Sequence, residues 1–368
     1  CIRDRVGSVL IAMYGATIGK LGILNIPATT NQACCACLPI LVNNNYLFYF
    51  LMSHKESFTK KAEGGAQPNI SKEKIISTLF PLPPLAEQKR IVAKIEQLIP
   101  YIEKYEKAET QLTALNKSFP DMLKKSILQE AVQGKLVPQN PDDEPASVLL
   151  ERIRAEKQVL IKAGKIRKDK HESAIITRDK IPYEIIDGKE RCIADEVPFE
   201  LPESWCWCRL GTIFQHNTGK ALNSSNHQGT MMQYITTSNL YWDRFELDKL
   251  KEMLFTDSEV EKCTVTKGDL LVCEGGDIGR AAIWNYDYPM RIQNHIHRLR
   301  SYAPVEVYFF YYVFYLYKRA GLIGGKGIGI QGLSSNAIDK LLIPLPPLAE
   351  QKKIVAKIEE LMQYCDKL

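Results

Sequence analysis

The sequence predicts a mixed α/β protein, of the α+β kind, in which a small sheet-and-helix domain followed by a long helix is used twice. Three observations carry this. PLPPLAEQKRIVAKIEQLI (residues 81–99) returns as PLPPLAEQKKIVAKIEELM (residues 344–362), with sixteen of nineteen positions identical at an offset of 263 residues. The segments upstream of the two copies share one order of strand, glycine turn, strand, polar cluster and aromatic helix. Within and after each copy, apolar residues recur with the 3.5-residue period of a helix–helix seam.

Bulk composition agrees. At roughly 150 residues per domain, 368 residues predict two or three domains. With 45% hydrophobic and 25% charged residues the chain has material for more than one core and is not a disordered polymer. No apolar run reaches the ~20 residues that cross a bilayer; VEVYFFYYVFYLYKRAG (residues 305–321) is shorter and rich in tyrosine. The net charge of +5 permits a nucleic-acid partner without demanding one. A first residue of Cys1 rather than Met, inside ordered-looking sequence, reads as a fragment without its true start.

The elements follow in order. VGSVLIAMYGATIGKLGIL (residues 6–24) and KGDLLVCEGGDIGRAAIW (residues 267–284) both read as turn, apolar strand, glycine turn, Ile-Gly-basic, second strand. A polar cluster follows each, Asn31-Gln32 and then Gln293-Asn294-His295. Aromatic helical runs come next, at residues 45–58 and 307–320, followed by the pairs Gly64-Gly65 and Gly324-Gly325 and by Ile70-Ser71 and Leu333-Ser334. The second domain has about 65 residues in front of its strand pair that the first lacks. The tyrosines between Tyr308 and Tyr317 read as core, and Trp205 and Trp207 as anchors of the second domain's start.

After each PLPP the period becomes helical, with Pro83 and Pro84 expected in the first turn, where a missing N–H is harmless. Ile91, Ile95, Leu98, Ile102 and Tyr105 form the first seam, resumed by Leu112, Leu115, Phe119 and Met122; Ile354, Ile358, Leu361 and Cys365 form the second. Pro100 and Pro120 are expected to interrupt and bend the first helix. GKLVPQNPDDEP (residues 134–145) is a connector, and residues 146–170 an amphipathic basic helix with Pro145 in its first turn. Residues 151–180 hold ten Lys/Arg against five Asp/Glu, read as a solvated helix face or as a contact to DNA or a partner.

Two similar helices can pair antiparallel about a pseudo-two-fold axis and hold two globular readers at a fixed distance. Residues 85–133 would span roughly 70 Å as unbroken helix, against the ~34 Å repeat of B-DNA. At this point the chain closely resembles the specificity subunits of type I restriction–modification enzymes. The resemblance rests on the doubled PLPPLAEQK-IVAKIE, on SILQEAVQGKLVPQNPDDEPASVLLERIRAEK, on LPESWCWCRLG, and on GDLLVCEGGDIGRAAIW with its following QNHIHRLR, and it covers nearly the whole chain.

What the resemblance implies is two target-recognition domains separated by long antiparallel coiled-coil helices. The first domain, partial, takes residues 1–80, the helical spacer 81–136, the connector with its basic helix 137–200, the second domain 201–343 and a shortened C-terminal helix 344–368. It also implies a non-catalytic cytoplasmic subunit that reads a bipartite sequence in double-stranded DNA. Such a subunit recruits two methyltransferase subunits, which bind S-adenosylmethionine, and restriction (translocase) subunits; it binds no cofactor or metal itself and meets no membrane. Ile91, Ile95, Leu98, Ile102, Ile354, Ile358 and Leu361 are the expected partner-binding helix positions.

DNA readers need groups for base edges and for phosphates. Gln293, Asn294 and His295, with Arg298 and Arg300 beyond, offer amides that pair with adenine and guanidiniums that pair with guanine; Asn31 and Gln32 are their matches. The alternative is a strand with outward polar residues. Lys20 and Arg280, at the tips of the two glycine turns, are candidate phosphate contacts. Lys326, Gln331, Ser334 and Ser335 belong to a glycine-rich basic stretch whose first-domain counterparts are Gln67 and Ser71, and Lys220 and His216 are loop candidates.

Other motifs are set aside. Gly15-Ala-Thr-Ile-Gly19-Lys20 is one residue short of a P-loop and lacks the following hydroxyl. The G-x-G-x-x-G at residues 327–332 follows a helix rather than a strand, and the other copy lacks the spacing. Cys34-Cys35-Ala36-Cys37 sits in a β-like run unsuited to zinc or redox work and reads as reduced, half-buried thiols.

Two other function classes stand beside the DNA reader. An enzyme would need a catalytic constellation, and the sequence offers neither an Asn-Pro-Pro-Tyr methyltransferase motif nor a convincing metal–carboxylate cluster. A coiled-coil protein adaptor would bind without the steep salt dependence of phosphate contacts.

Overall fold

The structure is a computed structural model that describes residues 3–64, 68–168, 172–222, 228–323 and 333–368. It divides into two compact units, Cys1–Asn116 and Lys117–Leu368.

The first unit is built on a three-stranded antiparallel sheet of β1 (Val9–Ala12), β2 (Leu21–Ile23) and β3 (Cys34–Cys37), ordered β2-β1-β3. Val9 and Ile11 alternate inward and meet Ile18, Leu51, Phe58, Ile70 and Ile75. Most of that cover comes from α1 (Asn44–Ser53), α2 (Lys55–Lys60) and α3 (Lys72–Ile76). Asn43 caps α1 by accepting from the Tyr46 N–H at 3.0 Å, and Ser71 caps α3 through the Lys74 N–H. The three cysteines of β3 are free and half-buried, and the aromatic run of residues 45–58 is α1 with α2.

A single helix, α4 (Leu85–Val132), then runs without interruption through both Pro100 and Pro120. The expected break does not occur: each proline removes one N–H from the ladder, and the hydrogen bonds on either side carry the helix on. Pro83 and Pro84 lie just before the helix rather than in it.

The second unit takes the end of α4, then α5 (Ala146–Lys162), which starts directly after its N-cap Pro145 and buries Ala146, Leu149, Leu150 and Ile153. A small antiparallel sheet follows, β4 (Ser173–Arg178), β5 (Ile181–Ile186) and β6 (Lys189–Cys192). Then come β7 (Cys206–Arg209), α6 (Leu210–Ile213), β8 (Phe214–Thr218), β9 (Thr230–Ile235), β10 (Leu240–Tyr241), β11 (Arg244–Phe245), β12 (Lys251–Phe255), α7 (Asp257–Cys263) and β13 (Thr264–Val265). The chain continues as β14 (Leu270–Cys273), β15 (Ala281–Ile283), β16 (Met290–Ile292), β17 (Ile296–Ser301), α8 (Val307–Arg319), α9 (Ser335–Asp339), β18 (Leu342–Leu345) and α10 (Leu348–Cys365).

Two four-stranded sheets organise this unit, β12-β9-β16-β13 and β15-β14-β17-β8. Every neighbouring pair is antiparallel except β16 with β9. Residues of β14 alternate between two cores: Leu271 and Cys273 meet Trp284, Ile292 and Ile235, while Leu270 and Val272 meet the aromatic residues of α8. Burial on both faces explains why this strand reads as a continuous apolar run. Tyr311, Tyr317 and Trp205 are buried in the α8 core, and Trp207 is buried in a separate cluster with Ile193 and Leu342. The end of α4 joins the same core: Ile127, Leu128, Ala131 and Val132 cluster with Ile354, Val355 and Ile358 of α10. The two segments run antiparallel, with Lys124 on Asp366 at 2.6 Å and Lys353 on Asp143, beyond the end of α4, at 2.9 Å.

The repeat is visible bond by bond. In the first unit the Gly19 N–H donates to Ala12 O and the Ala12 N–H to Lys20 O, both at 2.9 Å. In the second the Gly279 N–H donates to Cys273 O at 2.9 Å and the Cys273 N–H to Arg280 O at 2.8 Å. Gly19 and Gly279 have positive φ of 79° and 84°, and a Cβ would come within 2.8 Å of Lys55 Cγ and 2.7 Å of Ile323 Cγ2. Only glycine meets both demands. Among the described residues no helix is long and apolar enough to cross a membrane.

Candidate nucleic-acid interface

In the second unit three polar loops meet at one end of β9, β14, β16 and β17. Residues 236–239 follow β9, residues 274–279 join β14 to β15, and residues 293–295 join β16 to β17. Backbone bonds fix their mutual position. The Gln293 N–H donates to Ile235 O at 3.0 Å, the Glu274 N–H to His295 O at 2.9 Å, and the Ile296 N–H closes a turn on Gln293 O at 3.0 Å. The His295 ring lies beside Gly275, where a Cβ would contact it at 3.8 Å, and its side chain is about half exposed. Gln293 and Asn294, half-buried, and His295, exposed, therefore stand on a turn that backbone bonds fix in place.

Arg280 sits below this surface. Its guanidinium donates to Thr237 O at 2.6 Å and lies over the Tyr241 ring at 5.1 Å, with Arg244 over the same ring at 5.0 Å. Its Nε is buried without a hydrogen-bond partner among the described residues. Thr236 and Ser238 share a hydroxyl–hydroxyl bond of 2.7 Å, and the Asn239 carboxamide oxygen accepts from the Thr236 N–H at 2.9 Å. Thr237, Ser238, Glu274 and Arg244 were not among the sequence candidates; the signal available was the polar run TTSN after the MMQYI strand.

The first unit repeats the frame with other side chains. Asn31 and Gln32 are exposed directly before β3, as Gln293 and Asn294 stand before β17. The Cys34 N–H donates to Asn31 O at 3.1 Å and the Met13 N–H to Ala33 O at 2.9 Å, matching the Ile296 and Glu274 bonds. Asn31 Oδ1 also accepts from the Ala33 N–H at 3.0 Å. Lys20 is exposed at the tip of the glycine turn.

Several other candidates have internal duties. Lys220 is buried, its ammonium donating to Leu254 O at 2.7 Å and to Glu259 at 2.6 Å. Arg298 is buried on β17 and donates to Thr264 O, while Arg300 grips Asp269 through Nε at 2.7 Å and NH2 at 2.6 Å. His216 and His297 bond ring to ring at 2.8 Å; His216 Nδ1 lies 3.2 Å from Asp339, and His297 Nε2 lies 2.6 Å from Leu333 O. Burial, with His216 alongside, pushes the His297 imidazole down to about 4. Ser71 and Ser334 are the N-caps of α3 and α9; Ser334 and Ser335 are exposed. Gln67, Lys326 and Gln331 lie outside the described residues.

Of the helix positions, Ile354 and Ile358 are fully buried within the second unit and Leu361 packs on the same core. Ile91 and Ile95 are half-buried, and Leu98 and Ile102 exposed.

Comparison with known proteins gives one direction. The model of the type I restriction modification DNA specificity domain matches residues 5–113 and 202–368. The type I restriction enzyme EcoAI specificity subunit of Escherichia coli is 28% identical across 89% of this chain and 61% of its own length. The EcoEI specificity subunit of Escherichia coli is 28% identical across 67% of this chain and 41% of its own length. The chain thus spans about two-fifths to three-fifths of these relatives. A crystal structure of the HsdS subunit from Thermoanaerobacter tengcongensis aligns over 99% of this chain and 75% of that one, at 17% identity and a TM-score of 0.49.

Proposed function

The chain belongs to the family of type I restriction modification DNA specificity domains, and on that premise we propose that it is a non-catalytic reader of a bipartite sequence in double-stranded DNA. The observation that carries the proposal is the pair of matched loops. Each unit holds a polar turn in the same backbone frame, and the side chains differ, Asn31-Gln32 in one and Gln293-Asn294-His295 in the other. One frame with two sets of donors and acceptors is what a reader of two different half-sites requires.

In this reading Gln293, Asn294 and His295 meet base edges, with Asn31 and Gln32 doing so for the other half. Lys20 and the exposed hydroxyls of Ser334 and Ser335 meet phosphate. Lys220, Arg298 and His216 act indirectly, by holding the strands that carry the loops. The helices recruit two methyltransferase subunits, which bind S-adenosylmethionine, and restriction subunits, in the cytoplasm. The exposed apolar positions Leu98, Ile102, Tyr105, Leu112, Phe119 and Met122 of α4 support a protein-facing role for that helix.

Competition binding of the chain, assembled with its methyltransferase subunits, tests the proposal. A sequence-specific complex should weaken with log salt at a slope of about −0.9 per phosphate contacted. Equal competition by every duplex would remove sequence reading, and a salt-insensitive interaction would favour the protein adaptor.

A further inference from the structure

The internal repeat shows an edge that is covered in one copy and open in the other. In the second unit the stretch before PLPP forms β18, which pairs antiparallel with β7: Leu342 opposite Arg209, Ile343 opposite Cys208, Pro344 opposite Trp207, Leu345 opposite Cys206. The Leu210 N–H bonds Leu341 O at 2.9 Å. The alternation of antiparallel pairs then leaves Pro344, which has no N–H, in a non-bonded position. Beside this strand pair, Glu350 accepts from Trp205 Nε1 at 2.8 Å and from the Gln139 amide, and Lys353 meets Asp143 at 2.9 Å.

The matching positions of the first unit, 263 residues earlier, are Leu79, Phe80, Pro81, Leu82, Glu87 and Arg90. Leu79 and Leu82 are 91% and 68% exposed, where Leu342 and Leu345 are 7% and 0%. Leu79, Phe80 and Leu82 make no backbone hydrogen bond among the described residues. The Pro81 carbonyl accepts from Tyr46 Oη at 3.2 Å, so the neighbouring carbonyls of Phe80 and Leu82 point to the other, open side. Glu87 and Arg90 are exposed and have no ion-pair partner among the described residues. The edge therefore carries unpaired backbone groups, two bare leucines, a carboxylate and a guanidinium.

We propose that residues 79–82 of the first unit receive an extended polypeptide segment of β7's chemistry: an added antiparallel strand with a tryptophan that donates to Glu87, accompanied by a carboxylate that meets Arg90. Charge complementarity sets the occupant, because the same two positions of the second unit, Glu350 and Lys353, are satisfied by an indole N–H and an aspartate. Strand addition supplies the main-chain bonds, and the alternating apolar residues cover Leu79 and Leu82.

The test uses the full chain and a synthetic peptide of residues 201–212, LPESWCWCRLGT, under reducing conditions. Hydrogen exchange at Phe80 and Leu82, the positions facing the open side, should slow by about tenfold or more at saturation, the effect expected of new ladder bonds. Exchange of Leu342–Leu345, read separately, reports any replacement of the chain's own β7. Glu87→Gln in the chain and Trp205→Phe in the peptide should each weaken binding by about fivefold to tenfold, and together by no more than one alone, as a shared bond requires. Glu87 is exposed, so its variant tests recognition rather than folding. Unchanged exchange at Phe80 and Leu82, or equal binding by the Trp205→Phe peptide, overturns the proposal. Protection that appears without peptide and grows with protein concentration also overturns it, in favour of a second copy of the chain.

Discussion

Gln88 and Gln351 stand 263 residues apart and make the same two hydrogen bonds. Gln88 Oε1 accepts from the Asn43 N–H at 2.8 Å and its Nε2 donates to Pro83 O at 2.9 Å. Gln351 Oε1 accepts from the Glu306 N–H and its Nε2 donates to Pro346 O, both at 2.9 Å. Both side chains are almost fully buried. Each ties the start of a long helix to the N-cap of the aromatic helix before it, which gives the repeated AEQK a mechanical reason. Replacing Gln351 with Leu leaves a buried N–H and a buried carbonyl unpaired. The expected loss is about 2–4 kcal/mol in the urea unfolding of the second unit, with Gln88→Leu acting on the first unit alone.

Glu184 on β5 is held by Arg209 at 2.8 Å through both carboxylate oxygens, by Arg191 at 2.8 Å and by Ser173 at 2.6 Å. The Arg209 guanidinium foremost, with Ser173 and Arg191, holds the carboxyl down at about 2. Because the folded value lies below the unfolded one, this stabilisation is present above about pH 4.5 and is lost as pH falls toward 2. Glu184→Gln should lower stability by about 3 kcal/mol near pH 7, where it leaves Arg209 buried without its main partner. The difference from wild type should shrink in acid denaturation below pH 4.

His297 titrates in another window. Its imidazole, lowered to about 4 by burial and by His216 alongside, binds a proton less readily folded than unfolded. Stability should be full above about pH 6.5, decline as pH falls toward 4, and flatten below. Urea midpoints between pH 7 and 4 measure this, and His297→Gln should remove the slope in that interval.

The loop proposed to read DNA can be separated from the scaffold. Substituting Ala at Gln293, Asn294 and His295 removes side chains while the backbone bonds of the turn remain. Each side chain that no longer reaches its base should cost about 1–3 kcal/mol against the preferred half-site, with little change in non-specific affinity. Band-shift competition against specific and random duplexes distinguishes the two.

The fold was legible in the sequence where a physical constraint is local or repeated. The doubled helix entrance, the glycine turns before Lys20 and Arg280, and the double-sided burial of β14 all leave composition signals. The uninterrupted course of α4 through Pro100 and Pro120 was not legible, because local propensity cannot weigh a single missing bond against a helix of 48 residues. Among site residues, the loop before β17 was visible as a polar break between apolar strands. The engagement of Lys220 by Glu259 was not, since the partners lie 39 residues apart and only the fold brings them together. The role of Gln88 and Gln351 was hidden for the same reason: the repeat marked the positions, and only the packed helices gave them their bonds.

Whether the two matched loops read two parts of one DNA target is decided by mapping methylated adenines in cells that express the chain with a type I methyltransferase subunit. Wild type should yield a gapped motif. Ala at Gln293, Asn294 and His295 should change or relax one half of that motif and leave the other half intact. Methylation without a motif, or a motif untouched by those three substitutions, would contradict the assignment of the loops as readers.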